Sequence, residues 1–89
     1  MKVYRLSPIA TDDPSWNYSV EKEHVWAGAA TAAEARELVA AKSGFSRLAK
    51  PGAVSPWNDE RVTSCVEEPT LSHPGVGQVI REDGSKVAD

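Results

Sequence analysis

The chain has 89 residues, a net charge of −3 and a sequence isoelectric point of about 5.3; 40% of its residues are hydrophobic and 26% are charged. This composition is ordinary for a folded domain and argues against wholesale disorder. The length indicates one domain. The acidic balance disfavours extensive contact with nucleic-acid phosphates, since these attract basic surfaces.

The number of cysteines and the hydropathy of the chain indicate its cellular compartment. Cys65 is the only cysteine, so no intrachain disulfide can form and a reducing compartment is favoured. Residues 1–8 lack the apolar stretch of a signal peptide, and no run approaches the roughly 20 apolar residues of a membrane helix. We therefore expect a cytoplasmic protein that makes no membrane contact.

Two strands are predicted in the first third of the chain. Residues 2–6 alternate as a strand, with Tyr4 and Leu6 on one face. The second strand is predicted over residues 23–29, and Trp26 within it is expected to lie in the core.

A helix is predicted over residues 31–43. Thr31 and Glu34 are spaced as a capping box, in which each side chain accepts from a free backbone N–H of the first turn. Gly44 is a typical residue to end the helix. The apolar stripe expected to face the core consists of Ala32, Ala35, Leu38 and Val39.

The remainder of the chain is predicted to hold two further strands. Residues 45–60 indicate a long loop, and the strands are expected over residues 61–66 and 76–81. The order β–β–α–β–β predicts an α+β fold, with one helix packed on a small antiparallel sheet.

We assign the domain to residues 1–82 and a flexible tail to residues 83–89. Open sheet edges often pair, so monomer and homodimer both remain open.

Short motifs spread over residues 1–75 give the chain a family resemblance. They are Tyr4-Arg5-Leu6-Ser7-Pro8, Asp13-Pro14-Ser15-Trp16 with Ser19, Val25-Trp26-Ala27, Glu34-Ala35-Arg36, Pro56-Trp57 and a strand ending at Cys65. In these motifs the chain resembles a group of small bacterial proteins of uncharacterised activity. The resemblance implies a stand-alone cytoplasmic protein, and none of the motifs is a catalytic signature.

Metal and thiol chemistry would have to use Cys65 with His24 and His73. A structural zinc site needs four ligands, which usually arrive in closely spaced pairs, and these three residues are scattered along the chain. A free cysteine in a strand usually acts as a small buried hydrophobe. A Cys–His nucleophile pair is the enzymatic alternative. We predict no catalytic site, no metal and no cofactor.

Two of the three tryptophans lie beside prolines in predicted loops. A large ring in such a place either seals a sheet edge or presents a binding patch. The leading hypothesis is a non-enzymatic protein-interaction or regulatory module with Trp57 partly exposed at a loop tip. The candidate binding residues are Trp16, Pro56, Trp57 and Asn58.

A second hypothesis uses the basic residues that lie late in the helix and just beyond it. Basic side chains interleaved with an aromatic residue, here Phe45, are typical of nucleic-acid-binding patches. Cations are also favoured at the C-terminal end of any helix, with no ligand involved. The residues of this alternative patch are Arg36, Lys42, Arg47 and Lys50.

Overall fold

A four-stranded antiparallel sheet forms the frame of the molecule. A computed structural model describes residues 2–87, and its strands lie in the order β3-β1-β2-β4. The predicted α+β fold, with one main helix on the sheet, is confirmed. The elements are β1 (Lys2–Pro8), β2 (Val25–Ala29), α1 (Ala32–Lys42), α2 (Phe45–Leu48), β3 (Thr63–Glu67) and β4 (Val79–Arg81).

The strand register places one face of the sheet under α1. Tyr4 is aligned with Ala27 and Leu6 with Val25, and all four residues are buried in the cluster that packs against the helix. Because successive side chains of a strand point to opposite faces, the intervening residues lie on the other face, which α1 does not cover. The predicted alternation of β1 is confirmed.

The helix begins and ends as its capping signals predict. The Thr31 hydroxyl accepts the Glu34 N–H at 3.2 Å, and the Glu34 carboxylate accepts the Ala30 N–H. The predicted apolar stripe is only partly correct. Leu38 is half-buried, and Ala40 is buried in its place. The stripe is shifted because α1 packs against the turn at residues 56–58 as well as against the sheet.

The segment predicted as a long loop over residues 45–60 contains α2 and a 3₁₀ turn, Pro56–Asn58. A second 3₁₀ turn, Pro14–Tyr18, lies between β1 and β2. Both turns are built alike: a side-chain acceptor caps the first turn and proline follows it, as its fixed φ allows. The expectation of a long loop over residues 45–60 is therefore only partly correct, because residues 45–48 and 56–58 are helical.

The fourth strand is shorter than predicted and begins at Val79. The preceding loop crosses closely over β2 at Gly28, where a Cβ would lie 2.2 Å from the Gly75 carbonyl oxygen. Val76 forms an isolated parallel bridge with Gly28 instead of extending β4. Only glycine at position 28 permits this approach.

Part of the predicted C-terminal tail belongs to the fold. Val87 is buried, and its N–H donates to the Val79 carbonyl at 2.8 Å. The segment predicted as a flexible tail therefore packs on β4 as far as Val87, and residues 88–89 lie outside the described residues. This segment closes the outer edge of β4.

Truncation of two neighbouring helix residues tests how α1 packs. Val39→Ala should cost about 2–3 kcal/mol, because it empties a fully buried site next to the sheet. Leu38→Ala should cost about 1 kcal/mol, since its side chain is half-buried. Denaturant unfolding of both variants measures the difference. A larger loss for Leu38→Ala would contradict this orientation of the helix.

Candidate interaction surface

The loop expected to present Trp57 is folded into the core. The Ser55 hydroxyl accepts the Trp57 N–H at 3.2 Å and starts the 3₁₀ turn, which directs the ring inward. Trp57 is 0% exposed, and Pro56 is also buried. Asn58 remains exposed. The expectation that the Trp57 ring is partly exposed is wrong.

Trp16 lies against Trp57 in the same core. The two rings meet edge to face with their centroids 5.0 Å apart, and Trp16 is 3% exposed. The indole N–H of Trp57 donates to the Ser19 hydroxyl at 2.9 Å. This hydrogen bond satisfies the buried indole N–H and holds the ring in place. The two tryptophans therefore join the two 3₁₀ turns and present no free binding surface.

The Arg36 guanidinium links α1 to both the Trp57 turn and β3. Its Nη1 donates to the Trp57 carbonyl and its Nη2 to the Thr63 carbonyl, each at 3.1 Å. The Thr63 hydroxyl also donates to the Pro56 carbonyl at 2.6 Å. Arg36 thus acts inside the fold, and its side chain is committed to these carbonyls rather than to an exposed basic patch.

Two of the other basic residues of the predicted patch lie around one cavity. Lys42 and Arg47 line a small cavity of about 40 Å³ together with Arg81, which forms an ion pair with a glutamate at 2.9 Å. Lys50 is exposed and does not line this cavity. Of the four residues, Lys42 and Arg47 therefore share this cavity, and the Arg36 side chain is engaged with the Trp57 and Thr63 carbonyls.

The residues considered for thiol chemistry lie apart. Cys65 is on the face covered by α1, and burial raises the pKa of its thiol. His24 contacts Trp26 on the uncovered face, with ring centroids 5.1 Å apart. His73 is exposed in the loop before β4. Within residues 2–87, no group of three or more His, Cys, Asp or Glu residues is placed to hold a metal ion.

On the face of the sheet that α1 leaves uncovered, residues 74–75 cover Gly28, and Val3 beside it is buried. Next to this covered part, a row of side chains crosses all four strands. The register aligns Val66 with Arg5, Arg5 with Trp26, and Trp26 with Ile80. Val66 is 48% exposed, whereas Trp26 and Ile80 are half-buried. The expectation that Trp26 lies in the core is wrong, because its position in β2 points it away from α1.

The two outer edges of the sheet differ. The backbone groups of β4 that point away from the sheet are those of Val79 and Arg81. The Val79 carbonyl accepts the Val87 N–H, and the Arg81 N–H donates to the Ser85 carbonyl, both at 2.8 Å. The chain therefore covers the β4 edge with its own residues 85–87.

The first outward-facing residue of β3 is also satisfied. The Thr63 N–H donates to the Asp59 carbonyl at 3.0 Å, and its carbonyl accepts from Arg36. The Arg61 guanidinium hydrogen-bonds the Asp59 carboxylate and lowers its pKa to about 2. This ion pair spans the turn that leads into β3.

The rest of the β3 edge is open. In an antiparallel pair, the residues that bond across the ladder alternate with residues whose backbone groups point away from it. The Glu68 N–H donates to the Val3 carbonyl, so the even-numbered residues of β3 face β1. Cys65 and Glu67 therefore point their N–H and carbonyl groups outward, and none of the described residues bonds to these groups.

Sequence reasoning missed this edge, because backbone groups carry no side-chain signature. The alternation of residues 63–67 was visible, but it does not reveal which strand lies at the edge of the sheet. The sequence does carry a signal for the two 3₁₀ turns, because a proline follows a capping residue at Asp13 and at Ser55.

An apolar groove of about 310 Å³ lies between α1 and the loop before β4, and Leu38, Ala29 and Val76 line it. The charged residue in its lining is Glu34, which accepts the Ala30 N–H and so completes the helix cap. The groove thus has an apolar wall and a carboxylate already engaged in the fold.

In comparisons with known proteins, no family model, curated protein or solved structure matches this chain. Over the described residues 2–87, no helix is long and apolar enough to cross a membrane.

Replacement of Arg36 tests its role as an internal link. Arg36→Met keeps the apolar stem and removes both hydrogen bonds, and should cost about 2 kcal/mol, since bonds from a charged donor contribute more than neutral ones. Glu37→Met, an exposed neighbour on α1, is the control and should change stability by less than about 0.5 kcal/mol. Equal effects in urea unfolding would contradict the link.

Proposed function

We propose that this protein is a non-enzymatic protein-binding module that adds an extended segment of another protein to the β3 edge. The observation that carries the proposal is the contrast between the edges: residues 85–87 cover β4, while the outward groups of Cys65 and Glu67 have no partner among the described residues. Strand addition supplies affinity through backbone hydrogen bonds and specificity through alternate side chains.

The side chains beside this edge define the segment that fits. On the uncovered face the added strand lies next to Val66, which favours an apolar or β-branched residue there. On the other face it lies next to Glu67, which is half-exposed and 3.6 Å from the Lys2 ammonium. A basic residue of the partner would add attraction at this position, although an exposed ion pair contributes little.

Two features support a non-enzymatic role in the cytoplasm. Burial raises the pKa of Cys65, which opposes formation of the reactive thiolate, and His24 lies on the opposite face of the sheet. The single cysteine also favours a reducing compartment.

Proline substitution at the edge tests the proposal. Glu67→Pro removes an outward N–H but no bond to β1, whereas Glu67→Ala removes the same side chain and keeps the N–H. In affinity capture from native lysate, the wild type and Glu67→Ala should retain the same discrete protein, and Glu67→Pro should lose it at least tenfold. Circular dichroism and urea unfolding establish that both variants fold.

Two results would count against strand addition at β3. One is equal capture by all three forms. The other is recovery of nucleic acid in a salt-sensitive manner that Lys42→Ala abolishes, which would favour the alternative role for the basic residues.

A further inference from the structure

The open part of the β3 edge is symmetric about Val66. Cys65 and Glu67 lie on either side of it, and each points one N–H and one carbonyl away from β1. When two such edges lie antiparallel, each outward N–H of one copy faces a carbonyl of the other copy, and each carbonyl faces an N–H. The edge is therefore complementary to itself.

We propose that two copies of this chain pair through β3, with the twofold axis passing between their Val66 residues. Cys65 of each copy then faces Glu67 of the other, and the four open backbone groups of each copy all find partners. The pair forms one continuous sheet of eight strands. This proposal rests on the proposed function, since it uses the same edge, and it makes a second copy a competitor of the partner protein.

Two neighbouring registers are less favourable. Centring the pair on Cys65 places Glu67 opposite Thr63, whose outward groups already bond to Asp59 and Arg36. Centring it on Glu67 places two carboxylates directly opposite each other and sets Cys65 against Pro69, which has no N–H. The register centred on Val66 leaves no backbone group of the open stretch unpaired.

Val66 supplies the side-chain contact of this register. It is 48% exposed on the uncovered face. In the pair, Val66 of one copy lies directly opposite Val66 of the other. Their backbones do not bond to each other, and at such positions the Cβ atoms approach to about 4.5–5.5 Å. The paired stretch spans three residues of each copy, whereas a stable interface uses roughly 20–30 residues a side, so we expect a weak dimer that forms as concentration rises.

Position-specific disulfide formation tests both the pairing and its register. In a Cys65→Ser background, Val66→Cys places two thiols directly opposite each other, within disulfide reach. Ser64→Cys puts the thiol on the same face, but the two thiols of a pair then lie four residues apart along the strands, a distance of about 13 Å. Under mild oxidation at equal concentration, V66C should cross-link at least tenfold faster than S64C, as read on non-reducing gels. Addition of Glu67→Pro should remove the difference.

Equal rates at positions 64 and 66 would indicate random collision and would overturn the dimer. Faster cross-linking of the wild-type chain through Cys65 would overturn the Val66-centred register. If position 66 has no advantage but Glu67→Pro still abolishes partner capture, self-pairing fails and strand addition stands. If V66C cross-links selectively but capture does not depend on Glu67→Pro, the dimer stands and the proposed function fails.

Discussion

The Arg36 guanidinium holds together three parts of the molecule that are distant in sequence. It projects from α1 and donates to the Trp57 carbonyl and to the Thr63 carbonyl at the start of β3. The turn that carries Trp57 is thereby held against the helix, with the ring buried beside Trp16. In a domain this small, where total stability is of the order of 5–15 kcal/mol, one such link is a considerable fraction of the whole.

The same interaction decides where the sheet can accept another strand. Because Thr63 already uses its outward groups within the fold, the open edge of β3 begins at Cys65 and ends at Glu67. The opposite edge is covered by the segment ending at Val87. The fold therefore offers a short open edge that can pair with a few residues, and the exposed Val66 lies at its centre. Natural sheets usually protect such edges, so an unprotected stretch is an interaction site or a liability.

Local signals were sufficient for α1 and for the two faces of β1. The Thr31–Glu34 capping box and the alternation of β1 act within a few residues, so the sequence predicted α1 and the faces of β1. Burial of Trp57 depends on Ser19, which lies 38 positions away, and no local pattern encodes that contact. The open edge likewise depends on the strand order, which tertiary packing sets. Because the contact of Trp57 with Ser19 is not local, the sequence alone favours an exposed Trp57.

Amide hydrogen exchange tests the open edge most directly, because it reports each backbone N–H separately. In solution dilute enough to prevent pairing of two copies through β3, we expect alternating protection along β3. The amides of Thr63, Ser64, Val66 and Glu68 should exchange slowly, and those of Cys65 and Glu67 should exchange at rates close to those of exposed chain. Uniform protection across residues 63–68 in dilute solution would show that these outward groups are already satisfied, and would contradict the open β3 edge.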